Sequence, residues 1–272
     1  MRFVTGTFFA ALLLIQTNSL AREPMITAHR GASFDAPENT LAAFELAWKQ
    51  GADAIEADFY LSSDDQIVCI HDKDTMRTAG VKKVVEKTSL EDLRTLEYGG
   101  WKDKSFQGEP IPTFEQVLAT VPDGKTFVIE LKTGARIVPV LVSELKRLAP
   151  PQASLLIISF DEPSIAMCKQ LLPNVRAHWL TGFKEDRSGA MKPTAAEIAK
   201  TVRDTNADGV GMKGEVSVID RSFIDSLLKD GCGEFHVWTI DDANDAKVFK
   251  SLGAVGITTN KPGFIRSEMG KQ

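Results

Sequence analysis

Eight short apolar segments of strand character recur along this 272-residue chain, and stretches of helical periodicity separate them. The strand pattern covers Met25–His29, Ala54–Tyr60, Phe127–Lys132, Ser154–Phe160, Val175–Thr181, Gly209–Lys213, Glu234–Ile240 and Val255–Thr259. The helical pattern covers Thr40–Gln50, Thr113–Thr120, Ile137–Leu148, Pro163–Leu172, Ala195–Thr205, Arg221–Lys229 and Ala243–Leu252. Strands alternating with helices argue for an α/β fold with a parallel sheet. Eight such units close a TIM-like (β/α)8 barrel, a fold that takes roughly 250 residues. The structural alternative is an open, doubly wound sheet.

One segment breaks the rhythm. Ile67–Ile70 follows the second strand after only the polar turn Ser62-Ser63-Asp64-Asp65-Gln66. A parallel partner needs a crossover of about a dozen residues, so this segment must return as an antiparallel hairpin. The return brings His71 back towards Glu56 and Asp58. From Asp72 to Pro112 no barrel strand follows; a short helix over Leu90–Leu96 and a loop at Gly99-Gly100-Trp101 are expected. A barrel insertion of this length (about 72–112) reads as a lid or binding loop.

Glu56 and Asp58 stand two apart in a strand and therefore share a face. Glu130 and Lys132 repeat the arrangement on the next barrel strand. Three acids near neighbouring strand ends repel one another unless a hard cation or basic side chains compensate them. Of the four histidines, His29 and His71 fall at the C-terminal face, where barrels carry their chemistry; His178 and His236 lie mid-strand and read as structural. Two imidazoles flanking one phosphorus can divide acid and base work near neutral pH. Arg30 suits bidentate contact with a phosphodiester oxygen, and Lys132 adds a second positive charge.

The first 21 residues differ from the rest. Arg2 is their only charge, an apolar run spans Phe8 to Ile15, and Ser19-Leu20-Ala21 places small residues before a cut after Ala21. This is the layout of a secretory signal, which predicts an exported chain over 22–272, periplasmic or extracellular. The run is shorter than the ~20 residues a membrane span needs, so no stable membrane insertion is expected once it is removed. The net charge of -5, with no basic run, argues against nucleic acid as a partner. Cys69, Cys168 and Cys232 allow at most one disulfide and could all be small buried apolar residues.

His29-Arg30-Gly31-Ala32, Pro37-Glu38-Asn39-Thr40, Glu56-Ala57-Asp58, His71-Asp72, Ile129-Glu130-Leu131-Lys132, Ser159-Phe160-Asp161 and Val237-Trp238-Thr239 occur in that order. Together they resemble the signature of the glycerophosphodiester phosphodiesterases, from about Met25 to Pro262. The resemblance implies metal-dependent hydrolysis of a small glycerophosphodiester to sn-glycerol 3-phosphate and an alcohol. It implies His29 and His71 as the acid/base pair, Glu56, Asp58 and Glu130 as ligands of Mg²⁺ or Ca²⁺, and Arg30 and Lys132 as phosphate contacts. Trp238 resembles the aromatic residue that packs against the glycerol or other alcohol. Glu38 and Asn39 are expected to brace the first loop and cap the first helix. Asn260 departs from the family pattern, which ends its last strand in an aspartate.

Two other readings are compatible with such a barrel. One is a phospholipase C- or D-like phosphodiesterase acting on lipid or lysolipid, which would present exposed apolar loops. The other is a non-catalytic phosphodiester-binding relative, usually marked by loss of a histidine or an acid that this chain retains.

Overall fold

The computed structural model describes residues 23–148 and 154–270, so the expected signal segment 1–21 lies outside the described residues. Strands β1 (Met25–His29) and β2 (Ala54–Leu61) flank helix α1 (Leu41–Lys49), and the hairpin strand β3 (Ile67–Cys69) follows. The insertion carries α2 (Met76–Ala79) and α3 (Leu90–Leu93), and α4 (Phe114–Ala119) leads back to β4 (Thr126–Leu131). Next come α5 (Ile137–Leu148), β5 (Ser154–Ser159), α6 (Glu162–Leu171), β6 (Arg176–Thr181) and a small hairpin of β7 (Lys184–Glu185) and β8 (Met191–Lys192). The chain finishes with α7 (Ala195–Thr205), β9 (Gly209–Lys213), α8 (Arg221–Lys229), β10 (Phe235–Trp238), α9 (Ala243–Leu252), β11 (Gly256–Thr259) and α10 (Pro262–Met269).

Eight parallel strands run in the order β1-β11-β10-β9-β6-β5-β4-β2, and the β1–β2 pairing closes the ring. The open-sheet alternative is thereby excluded. β3 pairs antiparallel with the far end of β2, Phe59 opposite Cys69, and the Ile70 N–H donates to the Asp58 carbonyl at 3.0 Å. The predicted elements stand, with ends moved by a residue or two. The insertion helix is shorter than the predicted Leu90–Leu96. The β7–β8 hairpin and helices α2 and α10 carried no clear periodic signal.

Strand alternation sorts the side chains into two layers. Ile55, Ala57 and Phe59 of β2 and Phe127, Ile129 and Leu131 of β4 point outward, packing with Phe44 and Phe114 under the helices. Phe59, Phe114 and Phe127 meet with ring centroids 5.4 to 5.9 Å apart. The intervening residues, Glu56, Asp58 and Glu130 among them, are thereby turned into the barrel. The three cysteines are free and buried. Among the described residues no helix is long and apolar enough to cross a membrane.

Candidate active site

The β2 and β4 registers set the acid cluster. Asp58 lies opposite Glu130, and Glu56 lies opposite His29 of β1. One carboxylate oxygen from each of Glu56, Asp58 and Glu130 falls within 4.8 Å of the other two, and all three residues are buried. Lys132 spans two of them, with Nζ 2.7 Å from Glu130 Oε1 and 3.4 Å from Asp58 Oδ1. Arg30 Nε lies 3.3 Å from Asp58 Oδ2, and the Arg30 N–H donates to Glu56 Oε2 at 2.9 Å.

Two cations do not satisfy three acids. Glu56 Oε1 and Asp58 Oδ1 are buried without a hydrogen bond, a costly condition for a charged oxygen. Burial and the neighbouring Asp58 push the Glu56 carboxyl well above its ordinary range, and burial raises Glu130 as well. Asp58 is held low, because Lys132, Arg30 and His71 outweigh the cost of its burial. Hard oxygen donors, unmet lone pairs and excess negative charge fit a divalent cation.

His29 and His71 flank this cluster. The Asn260 amide donates from Nδ2 to Asp241 at 2.7 Å and accepts the Ser33 hydroxyl at 2.9 Å. Its oxygen therefore faces His29 Nδ1, 2.7 Å away, which must carry the proton. The departure at Asn260 thus keeps a supporting contact, made by an amide that Asp241 orients. Burial, then Arg30, lowers the His29 pKa to about 4. His71 Nδ1 instead donates to a carboxylate, Asp72 Oδ1, at 2.7 Å.

A continuous polar chain joins His71 to the acids. Asp72 accepts from Arg77 Nε at 2.6 Å, Arg77 makes two 2.7 Å bonds to Glu38, and Glu38 accepts from Arg30 Nη1 at 2.9 Å. Sequence reasoning missed Arg77, since one arginine in an insertion carries no local pattern. Glu38 braces the first loop as expected, but Asn39 does not cap the helix. Thr40 does, its hydroxyl accepting the Ala43 N–H, because it is the extended residue directly before Leu41. Asn39 sits in the left-handed region (φ 58), which asparagine tolerates, and its amide donates to Asp58 Oδ2 at 2.8 Å.

The opposite side of the mouth is aromatic. Trp238, at the end of β10, meets Phe160 edge to face with centroids 5.5 Å apart. Its indole N–H is buried without an acceptor. His178 and His236 lie inside the barrel, away from this mouth. Their Nδ1 atoms are 2.9 Å apart, and Glu234 accepts from His178 Nε2 at 2.9 Å.

The family model described as the "Glycerophosphoryl diester phosphodiesterase family" matches residues 29–264. A glycerophosphodiester phosphodiesterase of Bacillus altitudinis is 34% identical over 256 residues, covering 90% of this chain and 98% of its own length. One from Caldanaerobacter subterraneus is 28% identical, covering 88% and 94%. The solved structure of an Oleispira antarctica phosphodiesterase, in complex with the product sn-glycerol-3-phosphate, aligns with a TM-score of 0.81 and 26% identity. It covers 91% of this chain and 97% of that one. This chain belongs to the glycerophosphoryl diester phosphodiesterase family.

Proposed function

We propose that this protein hydrolyses glycerophosphodiesters to sn-glycerol 3-phosphate and an alcohol, with His29 and His71 as its acid/base pair. The observation that carries the reading is the meeting, at one barrel mouth, of the buried triad Glu56, Asp58 and Glu130 with Arg30, Lys132 and two imidazoles in different settings.

Glu56, Asp58 and Glu130 would hold Mg²⁺ or Ca²⁺, which when bound supplies Lewis-acid polarisation of a phosphoryl oxygen. The charge balance supports this. With all three carboxylates ionised, as cation binding requires, Arg30 and Lys132 alone would leave one net negative charge, hostile to a phosphodiester. With a divalent cation held by the three acids, the site would carry one positive charge, which a singly charged diester would neutralise. Arg30 and Lys132 then orient the phosphate from the two flanks of Asp58 and offset charge that develops during displacement.

The two imidazoles differ in what backs them. His29 donates Nδ1–H to a neutral amide and stays neutral, leaving Nε2 free to accept a proton from the nucleophile. His71 donates Nδ1–H to the Asp72 carboxylate, which orients its ring for the complementary role, proton delivery to the leaving oxygen. The nucleophile is water or the substrate's own glycerol hydroxyl, and the net products are the same. Export follows from the apolar run and small residues before Ala21, with Arg22 starting the mature chain; N-terminal sequencing of the secreted protein checks it.

A coupled assay for released glycerol 3-phosphate, over a panel of diesters with Mg²⁺, Ca²⁺ or chelator, tests the activity. Release that chelator abolishes and added ion restores is expected. No release from any diester would refute it.

A further inference from the structure

The aromatic half of the mouth opens into a groove of about 860 Å³, far more room than a choline or ethanolamine requires. Its wall includes Phe160, Trp179, Leu180, Phe183, Pro193 and Trp238. Leu180 belongs to the barrel's inner cluster, while its neighbour Trp179 packs in the outer, helix-side layer. Adjacent strand residues face opposite sides, so a groove touching both starts inside the mouth and crosses the rim. The β7–β8 hairpin borders its outer stretch. Phe160 stands at the crossing, 49% exposed although its ring meets Trp238.

The acids beside this groove are already engaged. Asp186 accepts the Ser188 N–H, the Ser188 hydroxyl and the Ala190 N–H. Glu197 caps α7 through Thr194 and pairs with Lys192 at 2.9 Å. Lys213, on the same wall, pairs with Glu215 at 2.8 Å. Among the described residues that line the groove, neither carboxylate is free to receive an ammonium group. The remaining surface is mainly apolar and aromatic, and Trp238 packs on the inner cluster that contains Ile158, the residue opposite Glu130.

From this we infer that the groove is the leaving-alcohol subsite, and that it takes an alcohol with a long, uncharged, mainly apolar body, the chemistry of an alkyl or acylglycerol group. The inference rests on the proposed activity and specifies its substrate class. In the reaction, water adds to phosphorus and the bond from phosphorus to the alcohol oxygen breaks. The alcohol leaves with a proton, and sn-glycerol 3-phosphate remains.

The test is a series of glycerophospho-n-alkyl esters, ethyl, butyl and octyl, measured below micellar concentration with glycerophosphocholine alongside. A 1-acylglycerol ester of glycerol 3-phosphate separates the lipid source from a simple alkyl one. A fully buried methylene gives roughly fourfold. A groove open on one side should give about half of that free energy, or about twofold per methylene in kcat/KM and about 60-fold from ethyl to octyl. Phe160→Ser should lower the octyl-to-ethyl ratio about fivefold, whatever it does to both rates. Turnover of the short esters with a flat series, glycerophosphocholine outrunning the octyl ester, or an unchanged ratio in Phe160→Ser overturns the inference and leaves the activity standing. Turnover of no ester overturns both.

Discussion

Replacing Glu56 by glutamine should make the ion-free protein more stable while removing most of its response to a divalent cation. At the triad's outer separation of 4.8 Å, each carboxylate pair repels by about 3.5 kcal/mol at an effective dielectric of about 20. Glu56→Gln removes two of the three pairs. Lost attraction to Arg30 offsets part of that relief, so a net gain of about 2 kcal/mol is expected, or about 4–8 °C in Tm for a domain of this size. Wild-type protein should instead be raised by the ion. At a hundred times the dissociation constant, linkage supplies about 2.7 kcal/mol, equivalent to about 5–11 °C. The pH dependence has a definite sign. A buried carboxyl held above its ordinary value of 4.5 binds more protons folded than unfolded, so in chelator wild-type stability falls as pH rises above 4.5. Glu56→Gln lacks that contribution. Thermal melts of both proteins in EDTA and in 10 mM Mg²⁺ or Ca²⁺ read all of this. A variant that melts below wild type in EDTA, or a wild type indifferent to both ions, would refute the electrostatic account of the site.

Three further outcomes are expected. His29→Ala and His71→Ala should each lower kcat by about 100-fold or more, and wild-type turnover in both would remove the acid/base assignment. Burial holds His178 below its ordinary value of 6.5 and His236 well below it, so folding excludes protons that the unfolded chain binds. Stability from these two groups is complete above pH 6.5 and is lost as pH falls beneath it; urea midpoints of His236→Asn should therefore drop less between pH 6.5 and 5 than those of wild type. Thr194→Ala removes the capping box at the start of α7 and should cost about 1 kcal/mol, or about 2–4 °C in Tm, while leaving turnover of the ethyl ester intact; a larger loss of activity would show the β7–β8 hairpin depends on that cap.

Much of the molecule was legible before its structure. Periodicities of two and 3.6 located the eight barrel strands and seven of the flanking helices, because each strand must bury an outward apolar row and each helix one stripe. The short turn after β2 forced the antiparallel return that delivers His71. The two-residue spacings in Glu56-Ala57-Asp58 and Glu130-Leu131-Lys132 put their charged members on one face, since alternation is a local property of extended backbone.

Contacts between residues distant in sequence were decided only by the closed barrel. The ring lays Asp58 beside Glu130 and His29 beside Glu56, and so converts pairs of charges into one buried cluster with unmet oxygens. Arg77, Glu38 and Asp72 join across the insertion, and Asp241 turns Asn260 so that its oxygen faces His29. Phe160, just past the end of β5, and Trp238 of β10 meet from points far apart in the chain. Local sequence sets which way a side chain points relative to its own strand. Which partner it then meets depends on the register of strands brought together from across the whole chain, and no local pattern encodes that.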